Sequence, residues 1–194
     1  QAITKPELLD EDSELKIVIT PNKAKGTLTI ADNGIGMSRA EMIKNLGTIA
    51  RSGTQQFADK LSGDQKKDAQ LIGQFGVGFY SSFMVADKVT VLSRAAGGKK
   101  AHIWESTGAA KFSIDETKDA QTRGTSITLH LKEEEQEYLD PWRLKHIIDT
   151  YSSHIGFPIV LMDEEGKEET VNDGKALWAL PKSEVSEEEY TCLL

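Results

Sequence analysis

Three glycines within six residues, Gly73, Gly76 and Gly78, run straight into the apolar segment Phe79-Tyr80-Ser81-Ser82-Phe83-Met84-Val85. A fold built on this chain must accommodate a backbone that turns without side chains and then begins a helix at about Phe79. Glycine reaches backbone angles other residues avoid and lets an oxyanion approach the amide N–H groups closely. The free N–H groups and positive dipole end of a helix starting there point at the same anion. Taken alone, such a loop reads more readily as a tight strand–helix turn than as a ligand site. Its partner changes the reading. Asp32-Asn33-Gly34-Ile35-Gly36-Met37 places a carboxylate at a strand end beside a second glycine cluster. The two segments together suggest a purine nucleotide held at both ends.

The spacing excludes two commoner phosphate loops. A Walker A loop needs Lys and Ser/Thr after its last glycine, whereas Phe79 and Tyr80 follow Gly78. The dinucleotide fingerprint needs G-x-G-x-x-G, and the order here is G-x-x-G-x-G. The net charge of -8 argues against a nucleic-acid partner, which requires a basic patch to neutralise phosphates. No apolar run approaches the ~20 residues of a membrane span. The polar, acidic residues 1–12 do not read as a signal peptide. A lone Cys192 allows no internal disulfide, and the four histidines show no metal-ligand spacing.

Alternation of Leu15, Ile17 and Ile19 with Lys16, Val18 and Thr20 predicts a first strand over residues 15–20. A turn at 21–26 and a second strand over 27–31 complete a hairpin that delivers Asp32 to its end. Ser38 with Glu41 forms a capping box, so a helix follows with Met42, Ile43, Leu46 and Ile49 along its buried face. For Leu46, core packing and ligand contact both remain open. The polar, glycine-punctuated segment 47–70 reads as an ordinary surface excursion or, beside a ligand site, as a mobile lid. Strands are expected over 88–94, 101–105, 111–114 and 125–131. Asp140-Pro141 opens a helix with Leu144, Ile147, Ile148, Tyr151 and Ile155 on one face and Gly156 as its end. A last strand spans 157–162, a charged linker spans 163–174, and an acidic capped helix begins beyond Ser183. The expected class is α+β, with helices on one face of a mostly antiparallel, mixed sheet.

Four motifs in order resemble the nucleotide-binding domain of the heat shock protein 90 family, in wording nearer its bacterial branch. They are Asp32-x-Gly34-x-Gly36-Met37, the run from Asn45 through Gly47 and Arg51 to Thr54, the Gly73 to Ser81 loop, and Arg123-Gly124-Thr125. The resemblance covers residues 6–190. It implies a Bergerat (GHKL-type) two-layer sandwich over residues 1–162, a linker over 163–174 and the start of a middle domain over 175–194. It further implies ATP or ADP with magnesium, client proteins and a homodimer in the parent chaperone, no nucleic acid or membrane partner, and a cytoplasmic location.

Within that resemblance Asp32 reads adenine. An ionised carboxylate only accepts hydrogen bonds, so it suits the exocyclic amine of adenine and repels the carbonyl of guanine. Thr125 helps hold the base through its hydroxyl, with water. Gly36 and Met37 line the base pocket, Ile127 packs beneath it, and Leu46 stays a candidate contact. Asn45 and Arg51 face the sugar and phosphates, and Gly76, Val77, Gly78 and Phe79 present backbone N–H groups to the phosphates. Arg51 stands where many relatives have Lys.

The sequence departs from the family pattern in a second and larger respect. The family's general-base Glu and its magnesium-binding Asn lie on a helix with no counterpart in residues 1–194, and Glu7, Asp10, Glu11, Asp12 and Glu14 do not take those roles. The expectation is a domain truncated at its amino end that binds nucleotide without hydrolysing it, so no residue is assigned a catalytic or metal-binding role. A non-catalytic nucleotide-binding fragment and another Bergerat-fold ATPase or kinase are the alternative readings. A sensor kinase would place a phospho-acceptor His beside a dimerisation helix, and no His here has that setting.

Overall fold

The computed structural model describes residues 14–47, 78–109, 111–118, 122–163 and 165–172. Its elements run β1 (Ile17–Asn22), β2 (Thr27–Asp32), α1 (Arg39–Leu46), α2 (Gly78–Val85), β3 (Ala86–Arg94), β4 (Ala101–Ser106), β5 (Phe112–Thr117), β6 (Gly124–Leu131), a 3-10 helix (Glu133–Leu139), α3 (Pro141–Ser152), β7 (Ile159–Met162) and β8 (Glu168–Thr170). The strands form one eight-stranded sheet in the order β5-β4-β3-β6-β2-β1-β7-β8. Every neighbouring pair is antiparallel except β1 with β7. This is the mixed, mostly antiparallel α+β sheet expected from the strand pattern.

Period-2 alternation sorts the strands into two faces. One transverse row across β7, β1, β2, β6, β3, β4 and β5 reads Leu161, Ile19, Ile30, Ile127, Val91, Trp104 and Ile114. Met42 and Leu46 of α1, Phe79 and Phe83 of α2, Leu139, and Leu144 and Ile148 of α3 pack onto this apolar face. The opposite face carries Thr20, Thr29, Thr90, Thr128, Lys88, Glu105 and His130 around a shallow basin of 440 Å³. Thr29 and Thr128 share a 3.1 Å hydroxyl contact across β2 and β6, so that face is threaded with polar pairs instead of apolar packing.

Local chemistry accounts for the helix starts. The Ser38 side chain accepts from the Glu41 N–H while the Glu41 carboxylate accepts from the Ser38 N–H at 2.8 Å, closing the capping box before α1. Asp140 caps α3 through a 3.0 Å bond from the Trp142 N–H, with Pro141 in the first turn.

Several boundaries differ from the sequence expectation. The hairpin turn starts at Lys23, and Pro21 lies within β1 opposite Leu28. Pairing between β1 and β7 ends at Ile19 with Leu161, so the N–H that Pro21 lacks is not needed on that side. Helix α3 ends at Ser152, four residues before Gly156, because Asn172 captures the chain beyond it. The Asn172 amide donates to Ile155 O (2.9 Å) and Phe157 O (3.0 Å) and accepts from Ile159 N (2.7 Å). Tyr151, expected on the buried face, is 71% exposed. The 3-10 helix, built from the acidic run Glu133-Glu134-Glu135, carries no apolar periodicity for a sequence reading to detect. Part of the charged stretch 163–174 pairs back on β7 as β8, at the sheet edge.

Candidate functional site

Register brings the two ends of the Asp32 motif and the Arg123 motif together. Asp32, the last residue of β2, pairs with Thr125 of β6, which pairs with Ser93 of β3. These three polar side chains occupy a single transverse row, one step from the apolar row of Ile30, Ile127 and Val91. The sheet thus ends in a polar lip beside an apolar floor, an arrangement suited to a flat heterocycle with a polar edge.

The loop from Asp32 to Met37 is held at four points. The Gly34 N–H donates to Asp32 Oδ1 at 2.8 Å, Arg123 Nη1 donates to Gly34 O at 3.2 Å, the Ala96 N–H donates to Ile35 O at 2.8 Å, and the Met37 N–H donates to Ser93 Oγ at 2.8 Å. Asn33 pins the chain ahead of β1, accepting from the Lys16 N–H at 2.8 Å and donating to Glu14 O at 2.7 Å. Gly36 adopts φ +60, and a Cβ there would lie 1.9 Å from Arg94 O. Its glycine identity therefore follows from backbone packing against the β3–β6 edge, beyond any contact with a ligand.

Asp32 as a whole residue is open to solvent, yet its carboxyl is crowded from behind. That burial outweighs the Gly34 N–H, the Thr125 N–H and the Arg123 guanidinium, in that order, and raises its pKa above the usual aspartate value. The Gly34 N–H occupies one of the roughly four acceptor positions of a carboxylate, leaving others for a ligand donor. Arg123, only 5% exposed, sits on the far side with Lys16, Asn33, Thr122 and Ser126 around a cavity of 270 Å³ that reaches Asp32 and Thr125 from behind.

Of the remaining candidates, Asn45, Leu46, Gly78 and Phe79 sit on the covering helices. Leu46 is 9% exposed within the core, and Asn45 beside it is half-buried. The Tyr80 hydroxyl donates to Leu46 O at 3.0 Å, joining α2 to the end of α1, and burial raises its pKa. Met37 is packed against the core cluster. Phe79 points its ring into the sheet, 5.5 Å from Trp104 and edge-on, which anchors the first turn of α2. Among the described residues, none lies within 4 Å of a Cβ placed on Gly78, the first residue of α2. Arg51, Gly76 and Val77 lie outside the described residues, as do Ile49 and most of the 47–70 segment.

Sequence reasoning gave no role to Ser93 or Arg123. Ser93 is fully buried and polar, which no local pattern announces. Arg123 stood inside a recognised motif, and its position immediately before Gly124 was the available signal.

Comparison with known proteins shows the family. A family model described as "Histidine kinase-, DNA gyrase B-, and HSP90-like ATPase" matches residues 11–138. "Chaperone protein HtpG" of Rickettsia massiliae (strain Mtu5) is 56% identical over 185 residues, covering 95% of this chain and 30% of the relative. The same-named protein of Bordetella avium (strain 197N) is 54% identical over 201 residues, covering 98% and 32%. That of Paramagnetospirillum magneticum (strain ATCC 700264 / AMB-1) is 56% identical over 189 residues, covering 97% and 30%. The chain thus spans about a third of the length of these curated relatives. With its polar lip, its sheet order and a family match over residues 11–138, the chain belongs to the histidine kinase-, DNA gyrase B- and HSP90-like ATPase family.

Proposed function

We propose that this chain binds an adenine nucleotide and forms the nucleotide-binding part of an ATP-dependent chaperone of the heat shock protein 90 type. The observation that carries the reading is the polar row of Asp32, Thr125 and Ser93 beside the apolar floor of Ile30 and Ile127. Asp32 accepts from the amine of adenine, and Thr125 holds the base edge. Gly36, Met37 and Leu46 shape the base pocket, while Asn45 and Arg51 face the sugar and phosphates. Gly76, Val77, Gly78 and Phe79 offer N–H groups to the phosphates, at the start of α2 where a helix N-terminus favours an anion. Magnesium accompanies the phosphates and offsets their charge.

In the parent protein, nucleotide closes the 47–70 segment over the site, drives closure of a homodimer on client protein, and is hydrolysed to reset the cycle. The relatives' printed name, chaperone, supports this reading. The nucleotide-binding part runs through the β7–β8 hairpin, and residues 175–194 open a following domain. A cytoplasmic location follows from the same resemblance. No described helix is long and apolar enough to cross a membrane. No position in the 194-residue sequence matches the family's general-base Glu, so this chain alone binds ATP without steady turnover.

Calorimetry with ADP and magnesium tests the reading. The wild-type chain binds, and Asp32→Asn weakens binding by about 10- to 100-fold, the worth of a hydrogen bond to a charged group. Absent binding, or binding indifferent to Asp32→Asn, refutes it. Steady phosphate release by the purified chain refutes the statement on turnover.

A further inference from the structure

We propose that Ser93 is a positioning residue that makes Thr125 an acceptor-only group and thereby sets the purine selectivity of the pocket. The inference rests on the adenine reading of Asp32 and follows from counting hydrogens around one buried oxygen.

Ser93 is 0% exposed, so water does not complete its hydrogen bonding. Its Oγ has three protein partners: Gly124 O at 2.9 Å, the Met37 N–H at 2.8 Å and Thr125 Oγ1 at 2.9 Å. A hydroxyl has one proton to donate and two lone pairs to accept with. A carbonyl oxygen only accepts, so the Ser93 proton goes to Gly124. A backbone N–H only donates, so Met37 takes one lone pair. The remaining contact closes only if Thr125 donates its single hydroxyl proton to the other lone pair. A Ser93 proton turned to Thr125 instead would leave two bare oxygens 2.9 Å apart at Gly124.

Thr125 therefore faces a ligand with lone pairs alone. Its row neighbour Asp32, when ionised, is also acceptor-only. Two adjacent acceptors match a 6-aminopurine, whose amine supplies two hydrogens. The same logic holds through one bridging water. Such a water must donate to Thr125, and its other hydrogen serves the ring nitrogen of the base once the 6-amine has engaged Asp32. Adenine N1 accepts that hydrogen, whereas N1 of hypoxanthine or guanine carries a proton of its own and opposes it. Were Thr125 free to donate, the water could turn and accept from that N1–H. Ser93 removes this freedom from behind the pocket, without touching the ligand.

The test compares ADP with inosine diphosphate, which differs only at the 6-position and N1, by calorimetry on the 194-residue chain. Ser93→Ala frees the Thr125 proton and is expected to lower the preference for ADP by about tenfold, mainly by improving inosine diphosphate binding. Thr125→Val removes the hydroxyl that Ser93 controls, so adding Ser93→Ala to it leaves the preference where Thr125→Val put it. Ser93→Cys keeps the core filled with a weakly hydrogen-bonding thiol and is expected to reduce the preference in the same direction, which covers the case in which Ser93→Ala does not fold. Ser93→Thr, which keeps the hydroxyl, retains it. Equal weakening of both nucleotides by Ser93→Ala or Ser93→Cys, or an undiminished effect in the Thr125→Val background, overturns the assignment and leaves the adenine reading intact. A wild-type chain that binds neither nucleotide overturns both.

Discussion

Replacing Gly36 by alanine separates what the Asp32–Met37 loop does for the fold from what it does for a ligand. The φ of +60 at Gly36 costs a side-chain-bearing residue about 1–2 kcal/mol. The added Cβ would lie 1.9 Å from Arg94 O and 2.8 Å from Gly124 O, both backbone atoms of paired strands that cannot swing aside. Relief of that overlap moves the loop off the β3–β6 edge, for about 1–3 kcal/mol more. The total of about 2–5 kcal/mol corresponds to a drop in Tm of about 5–20 °C for a chain of this size. Displacement also pulls the Met37 N–H from Ser93, so ADP binding falls with stability. Gly34→Ala is the control. Among the described residues its Cβ would meet only the Asp32 side chain, with Oδ1 at 2.8 Å, and that side chain can rotate away. The expected outcome there is a Tm within about 2 °C of wild type, since no backbone clash is made, with weakened ADP binding because the carboxylate has turned. Thermal denaturation followed by calorimetry on both variants decides the matter. A Gly36→Ala chain that melts with wild type would refute the packing argument, whatever its affinity.

Other substitutions probe the electrostatics and the phosphate end. Burial raises the Asp32 pKa, so ionised Asp32 opposes folding: its cost is absent below the ordinary aspartate range and enters as pH rises through the window up to the raised value. Asp32→Asn should therefore match or exceed wild-type stability at neutral pH, lose that difference in acid, and bind ADP poorly throughout; urea titrations between pH 3 and 7 check the first two points. Wild-type ADP affinity should fall as acid protonates Asp32, and Arg123→Met, which removes a cation that favours the carboxylate, should move that fall to higher pH in calorimetric titrations. Gly78→Ala meets no described neighbour within 4 Å, so thermal melts should show unchanged or slightly raised stability, while the new methyl at the start of α2 weakens ADP binding by calorimetry.

Much of the architecture was legible because it depends on short-range rules. Alternation of Ile17 and Ile19 with Val18, and the spacing of Met42 and Leu46, identify a strand and a helix face from neighbours two to four residues apart. Capping at Ser38 and Asp140 was readable for the same reason. The early end of α3 was not, because its cause is Asn172, whose amide reaches Ile155 from 17 residues away. Tyr151 obeys the helical period and is nonetheless exposed, since periodicity states which residues share a face and not what covers it.

The candidate site divides along the same line. Asp32, the glycines around it and Thr125 could be named from motif alone, because a carboxylate at a strand end and glycines at tight turns are chemical requirements written locally. The motifs do not state why each residue is required. Gly36 is held to glycine by backbone atoms of Arg94 and Gly124, which approach it only when β3 and β6 pair. Ser93 reaches Met37 across 56 residues and Thr125 across 32, and Arg123 reaches Gly34 across 89. By itself the sequence determined most element types, the sheet class and which residues are candidates for a nucleotide site, since propensity, period and motif chemistry act within a few positions. Tertiary structure alone decided which buried hydroxyl and which buried guanidinium stand behind those residues, because proton direction and charge at a site are set by neighbours that only sheet register brings within 3 Å or so.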